Sequence, residues 1–574
     1  MKIKFNLIKS KSVKEMKNEY IWLSQYSKSY KKDIFLYLII GILSTAYSLI
    51  ASIISKKIID NVTGSHTDSI LVALIFFVLM QLLQILMQAI SSRINAKVSI
   101  KVNQEITAKV YDKLLATDWE ALSSYHSGDL LTRITGDVST ISSSVIGWFP
   151  ELFTRLLQFG GTLCLILYYD PTLALLALIS APATVLMSRY FIKMMREHNQ
   201  TMRQISSKMM VFNEETFQNI QLIKSFNRTD AYSERHKALQ NEYKETTLRY
   251  NKFSIEKRLM TSLIGTIVAV LCFAWSIYRL RSGAITYGTM ALFLNLSTAL
   301  SSGFSALTGL IPVAINAATS AGRIMAIMDL PLENKCNEEA AKNFIEKNKN
   351  SSLSIKADNL SYRYENGVSV LSNVNFEAKG GEIVAIIGPS GEGKTTLLRL
   401  LLGIVHQQNG SLMLYSPDGD KIDISPCTRT LFAYVPQDNT VFSGTIKENL
   451  TMTNPNATDD EIYESLKIAC ADEFVNNLPQ KIDTLIKEQG KGFSEGQIQR
   501  LCIARALLTK SPILLMDETT SALDMETENK VLQNIINSQS NRTCIITTHR
   551  PSVLNISNRI YKIYNDSLEQ YQNK

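Results

Sequence analysis

Two hydrophobic rhythms divide the chain. Between residues 34 and 314 long apolar runs recur at 34–55, 69–91, 146–169, 171–192, 259–280 and 288–314, each of a length suited to a membrane-spanning helix. Beyond residue 350 the runs shorten to Ile383–Ile387, Ile513–Met516 and Cys544–Thr548, which read as strands. The pattern predicts a six-span helical membrane domain over 1–330 and an α/β domain over 351–574. The stretch 331–350, rich in Glu, Lys and Asn, reads as the linker between them.

Polar positions interrupt the apolar runs at helical spacing. Gln81, Gln84 and Gln88 share one face of the second run, Ser44, Ser48 and Ser52 one face of the first, and Thr298, Ser301, Ser305 and Thr308 one face of the sixth. Such stripes avoid lipid and face either a neighbouring helix or a watery cavity. The serines of the first run are expected to be packing contacts; the glutamines and the sixth run are expected to wall a cavity. Glu151 and Arg155, four residues apart, are expected to pair with each other. Roughly fifty residues separate the second and third runs and about sixty-five the fourth and fifth, far more than a turn needs. Both connections read as helical hairpins reaching into the cytoplasm.

Charge orients the membrane part. The net charge of +8 over 574 residues hides opposite halves: residues 1–330 hold 35 Lys and Arg against 22 Asp and Glu, and 331–574 hold 25 against 30. The surplus gathers in the N-terminal tail and in the loops after the second and fourth runs, whereas Asn61–Ser69 and Tyr169–Thr172 carry no Lys or Arg. Both termini are therefore expected in the cytoplasm of an integral membrane protein, most simply in a bacterial plasma membrane. Arg279 and Arg281, on the opposite side, are discordant. A basic balance also suits nucleic-acid binding, but six apolar spans argue against it, so no nucleic-acid partner is expected. The first run starts beyond residue 32 without a cleavage pattern and reads as an uncleaved membrane helix. Seven scattered cysteines with no paired spacing indicate neither a disulfide framework nor a zinc site.

Chemistry concentrates in the second half. Gly388-Pro389-Ser390-Gly391-Glu392-Gly393-Lys394-Thr395-Thr396 follows the strand Ile383–Ile387 and opens a helix, the arrangement of a phosphate-binding loop. Glycines there turn backbone N–H groups toward phosphate oxygens, Lys394 neutralises the β and γ phosphates, and the Thr395 hydroxyl ligates Mg²⁺. ATP and Mg²⁺ are the expected cofactors. Downstream come Tyr434-Val435-Pro436-Gln437, Phe493-Ser494-Glu495-Gly496-Gln497, Asp517-Glu518 at the end of an apolar strand, Ser521-Ala522-Leu523-Asp524, and His549 after another strand. Asp517 reads as the acid holding Mg²⁺ and Glu518 as the base that polarises the attacking water.

This ordered set resembles the ATP-binding cassette (ABC) family, and the fused membrane part resembles its exporter class. The resemblance implies a stacking role on adenine for Tyr364, a Mg²⁺ and coupling role for Gln437, a γ-phosphate contact for His549, and a place in the dimer interface for Asp524. It implies that Ser494, Gly496 and Gln497 cap ATP held by another chain. Phe493 and Glu495 depart from the family's Leu-Ser-Gly-Gly-Gln form. Gly128–Asp137 and Glu215–Phe226 resemble coupling regions, and Ile486–Gly490, with Glu488 at its acidic position, resembles an exporter segment. The resemblance further implies a half-transporter hydrolysing ATP as one member of a dimer, with a homodimer favoured over a heterodimer in which this chain supplies the catalytic base. Alternating-access export of a small molecule, peptide or lipid is expected, with a flippase, an exporter-fold importer and an ATP-gated channel as alternatives. Membrane lipid and an exported substrate, unidentified by sequence, are the remaining partners.

Overall fold

The computed structural model describes residues 13–64, 70–172, 201–202, 204–334, 338–349, 351–364, 367–438, 440–487, 490–538 and 541–571. The chain forms two compact units, Met1–Asp112 with Ser127–Asp329, and Lys113–His126 with Leu330–Lys574.

In the first unit, Lys31–Thr63, Ile70–Leu115, Ser127–Tyr169 and Thr229–Arg281 are long and apolar enough to cross a membrane. The expected last span is helical within Tyr287–Met328, while the fourth, 171–192, lies outside the described residues beyond 172. The 46 residues of Ile70–Leu115 extend about 69 Å at about 1.5 Å each, more than twice a hydrocarbon core of about 30 Å. The helix changes character along that length. Leu71, Val72, Leu79, Leu82 and Leu86 are exposed, as lipid-facing residues are, whereas Val98, Val102, Ile106 and Val110 form a fully buried stripe at four-residue spacing. One helix thus serves two solvents, lipid first and water beyond it.

Lys31–Thr63, Val138–Tyr169 and Tyr287–Met328 pack closely on one another. Gly41 permits the approach of the first two, because a Cβ there would collide with the Thr154 side chain. A five-residue π-helical turn, Arg133–Asp137, interrupts the entry to Val138–Tyr169. It is tied to the end of the Tyr287–Met328 helix by ions: Arg323 lies 2.7 Å from Asp129 and 3.2 Å from Asp137, Arg133 lies 2.8 Å from Asp129, and Ser320 donates to Asp137 at 2.8 Å. Arg279, discordant by the charge rule, meets the buried Asp170 at 3.0 Å. Its charge is compensated locally by a residue 109 positions earlier.

The second unit is built on a six-stranded sheet in the order β12-β11-β3-β10-β9-β6. Its strands are β3 (Ile383–Ile387), β6 (Phe432–Val435), β9 (Ile513–Asp517), β10 (Thr543–Thr547), β11 (Arg559–Tyr564) and β12 (Ser567–Tyr571). All neighbours pair in parallel except β11 with β12. Side chains alternate between two cores: Ile513 and Leu515 join one, Leu514 and Met516 the other. Burial on both faces explains why these strands appear as unbroken apolar runs. An antiparallel sheet of four strands, β2-β1-β4-β5, stands beside it, with β1 Ser354–Arg363, β2 Ser369–Ala378, β4 Asn409–Tyr415 and β5 Lys421–Asp423. The expected linker carries the helix Glu338–Asn348, whose Phe344 joins the core shared by Ile513 and Leu515.

Residues 113–126 belong to this second unit. Thr117 and Leu332 form an antiparallel bridge, Asp118 N–H donates to the Pro331 carbonyl at 3.0 Å, and Arg429 holds Glu333 through two contacts of 3.1 and 2.8 Å. Asp118 caps the short helix Trp119–Ser123 and meets His406 at 3.2 Å. Trp119 stacks under Arg399 at 5.0 Å, and Glu120 accepts a hydrogen bond from the buried Tyr362 hydroxyl. Burial and this carboxylate together push the Tyr362 phenol far above its ordinary range. The sequence motif Gly128–Asp137 lies in the first unit, whereas in the segment just before it an aromatic and two acids find partners within the second.

Candidate active site

Four adjacent parallel strands, β3, β10, β9 and β6, end in the loops that carry the chemistry, where ligands of open α/β sheets gather. The loop after β3 holds Gly388, Ser390, Gly391 and Gly393; Ser390 and Gly391 are exposed. Gly393 adopts φ 103° at the N-terminus of the helix Lys394–Leu401, and a Cβ there would collide with Val370. Thr395 and Thr396 follow in the first turn. Thr396 is buried and within 3.0 Å of the Tyr364 hydroxyl, which also accepts from Arg399 at 3.4 Å. The residue expected to stack on adenine is thereby attached to the phosphate-loop helix.

The loops converge on Glu518. Its Oε1 lies 2.9 Å from Lys394 Nζ and 3.2 Å from His549 Nε2, and its Oε2 accepts from Gln437 Nε2 at 3.4 Å. Lys394 Nζ, almost wholly buried, also donates to the Gly388 carbonyl at 2.7 Å and lies 2.9 Å from His549. Glu518 sits at φ 50°, a left-handed conformation that L side chains resist, at a cost on the order of 1 kcal/mol. Its N–H is held by the Thr547 carbonyl at 3.2 Å and the Thr547 hydroxyl at 2.9 Å. A carboxylate, a cation, an imidazole and an amide from four strand ends thus meet around one point.

Asp517 ends β9 with 1% of its surface exposed. One carboxylate oxygen accepts from the Thr547 hydroxyl at 2.7 Å; the other is buried without a hydrogen-bond partner. Burial raises its pKa most, with the Thr547 and Thr395 hydroxyls acting against it and Glu518 adding to it. An orphaned buried carboxylate oxygen beside Thr395 fits a divalent cation, with exposed Gln437 as the further candidate ligand. The energetic sign follows: a carboxyl whose pKa is raised on folding penalises the folded state above the unfolded value, and the penalty fades as pH falls below it. Without nucleotide, the Asp517→Asn chain is therefore expected to unfold at a higher temperature than wild type at neutral pH. The gap should close toward the acid carboxylate range in scanning fluorimetry, and MgATP should stabilise the wild type more.

The remaining expected residues stand apart from this cluster. Ser494 caps the helix Glu495–Leu507, its hydroxyl accepting from Gln497 N–H at 3.3 Å while Gln497 Oε1 takes the Ser494 N–H at 2.9 Å. Gly496 leaves only 3.1 Å between a hypothetical Cβ and the Ala522 carbonyl oxygen. Glu495 is exposed in the first turn, and Glu488 lies outside the described residues. Asp524 accepts from Thr527 N–H at 2.9 Å, which lowers its pKa. Among the described residues no hydrogen bond joins Ser494, Gly496, Gln497 or Asp524 to the group around Glu518.

Three supporting residues escaped the motif reading. Thr547 holds Asp517 and Glu518 together; its signal was a hydroxyl at the end of a buried apolar strand. Arg550, next to His549, donates to the Ser521 and Leu523 carbonyls at 2.6 and 2.9 Å and pairs with the buried Glu528 at 3.1 Å. Gln499, fully buried, accepts from Ala522 N–H at 3.2 Å. The loop carrying Asp524 is thus clamped from two sides.

Both units of the chain resemble known proteins. Residues 34–304 match the family model of the ABC transporter transmembrane region, and residues 371–521 the family model described as ABC transporter. A Staphylococcus aureus (strain NCTC 8325 / PS 47) protein with the provisional name multidrug export ATP-binding/permease protein is 28% identical over 555 residues, 94% of each chain. A Rickettsia conorii protein provisionally named an export ATP-binding/permease protein is 27% identical over 551 residues, 94% of this chain and 93% of its own. A bacterial Atm1-family ABC exporter solved with ATP bound superposes with a TM-score of 0.79 at 22% identity, over 96% of this chain and 95% of that one. With a membrane region and an ATPase matched in series on one polypeptide, the chain belongs to the ABC transporter family.

Proposed function

We propose that this chain is one half of an ATP-driven exporter that works as a dimer, with both termini and the ATPase unit on the cytoplasmic side. The observation that carries the reading is the meeting of Lys394, Gln437 and His549 on Glu518 in a chain that also holds its own long apolar helices. The export direction is supported by the names of the bacterial relatives. Lys394 neutralises the β and γ phosphates, His549 orients the γ phosphate and the attacking water, and Glu518 accepts that water's proton. Tyr364 stacks on the base, while Asp517, Thr395 and Gln437 would hold Mg²⁺, which when bound disperses phosphate charge. Ser494, Gly496 and Gln497, which among the described residues make no hydrogen bond to the group around Glu518, suit contact with ATP on another chain, with Asp524 beside them at the interface. ATP then favours the closed pair of ATPase units through contacts that only this state makes, and hydrolysis releases it.

A homodimer is favoured, since this chain carries both the base and a capping segment. The test is Mg²⁺-dependent ATPase activity of the chain purified alone in lipid nanodiscs, beside Glu518→Gln. Activity that the substitution removes supports the homodimer; a folded dimer inactive with every candidate substrate points to a partner half. Exposed Glu495 puts a negative charge at the helix end expected to face phosphate. Two unit charges 4 Å apart in water repel by about 1 kcal/mol. Glu495→Gly is therefore expected to lower the ATP concentration for half-maximal turnover about fivefold; an unchanged value would mean that Glu495 faces away from the nucleotide.

A further inference from the structure

Three helices of the membrane unit line a half-open cavity of about 240 Å³. Ser44, Thr45 and Ser48 enter it from Lys31–Thr63, Gln84, Gln88 and Ser91 from Ile70–Leu115, and Arg155 and Gln158 from Val138–Tyr169. Ser44 and Ser48, expected as packing contacts, therefore share a cavity wall with Gln84 and Gln88, while Ser52 and Gln81 lie outside the lining. The volume is below that of a pocket for a whole drug-sized molecule, roughly 300 Å³ or more, and suits a headgroup. Among the described residues, Arg155 is the one charged member of the lining. Its NH1 donates to Gln158 Oε1 at 3.2 Å and its NH2 lies 3.5 Å from Glu151, a pair about 40% exposed at each end. That separation is longer than a charge-assisted hydrogen bond, and exposed pairs contribute little. Donors of the guanidinium fork therefore stay available for a better acceptor, with the Gln84 and Gln88 amides and the Ser44, Ser48 and Ser91 hydroxyls in the same lining.

We propose that this cavity is a subsite for the carboxylate or phosphate headgroup of an anionic amphiphile, bound through Arg155, with Ile40 and Met87 in the lining meeting the start of its apolar body. The assignment rests on the exporter reading above for its role in transport, but not for binding itself. The test uses one fluorescent body with three heads: a dansyl fatty acid, its methyl ester and the corresponding amine, titrated into the full chain in phosphatidylcholine nanodiscs. The acid is expected to bind at least about tenfold more tightly than the ester. Arg155→Gln should abolish that preference and Arg155→Lys retain part of it. Gln84→Leu with Gln88→Leu should weaken acid and ester alike. Phosphatidylglycerol in the nanodisc that competes with the acid marks a lipid headgroup as the source, and indifference to it marks a soluble amphiphile; either supports the site. Equal binding of acid and ester, tightest binding of the amine, or a preference surviving in Arg155→Gln overturns it. MgATP binding in the same samples reports folding. Loss of coupled ATPase activity with the head preference intact would count against the transport reading alone.

Discussion

Glu518→Gln is expected to cut the rate of ATP hydrolysis by about a hundredfold to ten-thousandfold while leaving ATP binding at or above its wild-type strength. The range is that of a positioned general base. Glutamine keeps the size and the acceptor oxygen facing Lys394 and His549, so the local geometry survives while the basicity is lost. Two further consequences make the substitution informative. It removes the carboxylate 2.9 Å from Lys394, which frees the ammonium for phosphate and favours nucleotide binding. It also leaves the Thr547 contacts to residue 518 in place, because they use its backbone N–H. Single-turnover hydrolysis and equilibrium binding of labelled ATP, measured on the same sample, separate the two effects. A variant still turning over at more than a tenth of the wild-type rate would remove Glu518 from the role of base.

Lys394→Ala is expected to act on both quantities. Charge-assisted contacts contribute about 1.5 to 3 kcal/mol each, so ATP affinity should fall by roughly tenfold to a hundredfold. Turnover at saturating ATP should drop about a hundredfold or more, since the charge that develops in transfer loses its nearest cation. The two substitutions differ in their signatures: Glu518→Gln separates binding from hydrolysis, and Lys394→Ala lowers them together. Lys394 is nearly buried and also anchors the Gly388 carbonyl, so Lys394→Arg provides the control. It keeps the charge with a different fork, and partial recovery of binding without turnover would assign the binding loss to charge and the rate loss to position.

The ATPase half was legible because its chemistry is local. A phosphate loop needs a strand, glycines free of Cβ and a helix start within a few residues, and the chain writes these consecutively from Ile383 to Leu401. Asp517, Glu518 and His549 were visible for the same reason, each standing at the end of a short apolar strand. What joins them was not. Thr547 reaches Glu518 across 29 residues, and Arg550 reaches Ser521 across another 29; neither link has a spacing rule. In the membrane half, helical periodicity showed which side chains share a face but not what that face meets. Ser44 and Ser48 consequently read as packing residues, although they line one cavity with Gln84, Gln88 and Arg155. Arg279 looked misplaced because its partner, Asp170, belongs to another loop, and the docking of Trp119 and Glu120 depended on Arg399 and Tyr362, more than two hundred residues later.

The clamp made by Arg550 has an evolutionary consequence. It grips the Ser521 and Leu523 loop through main-chain carbonyls, which every residue type possesses. The exposed side chain at 521 can therefore drift among relatives without loosening the grip, whereas Leu523 is held by its own burial in the core. Arg550 and Glu528, by contrast, must change together or not at all, because a lone acid at Glu528, 1% exposed, would be a buried charge without its partner. In a collection of related sequences the pair should therefore covary.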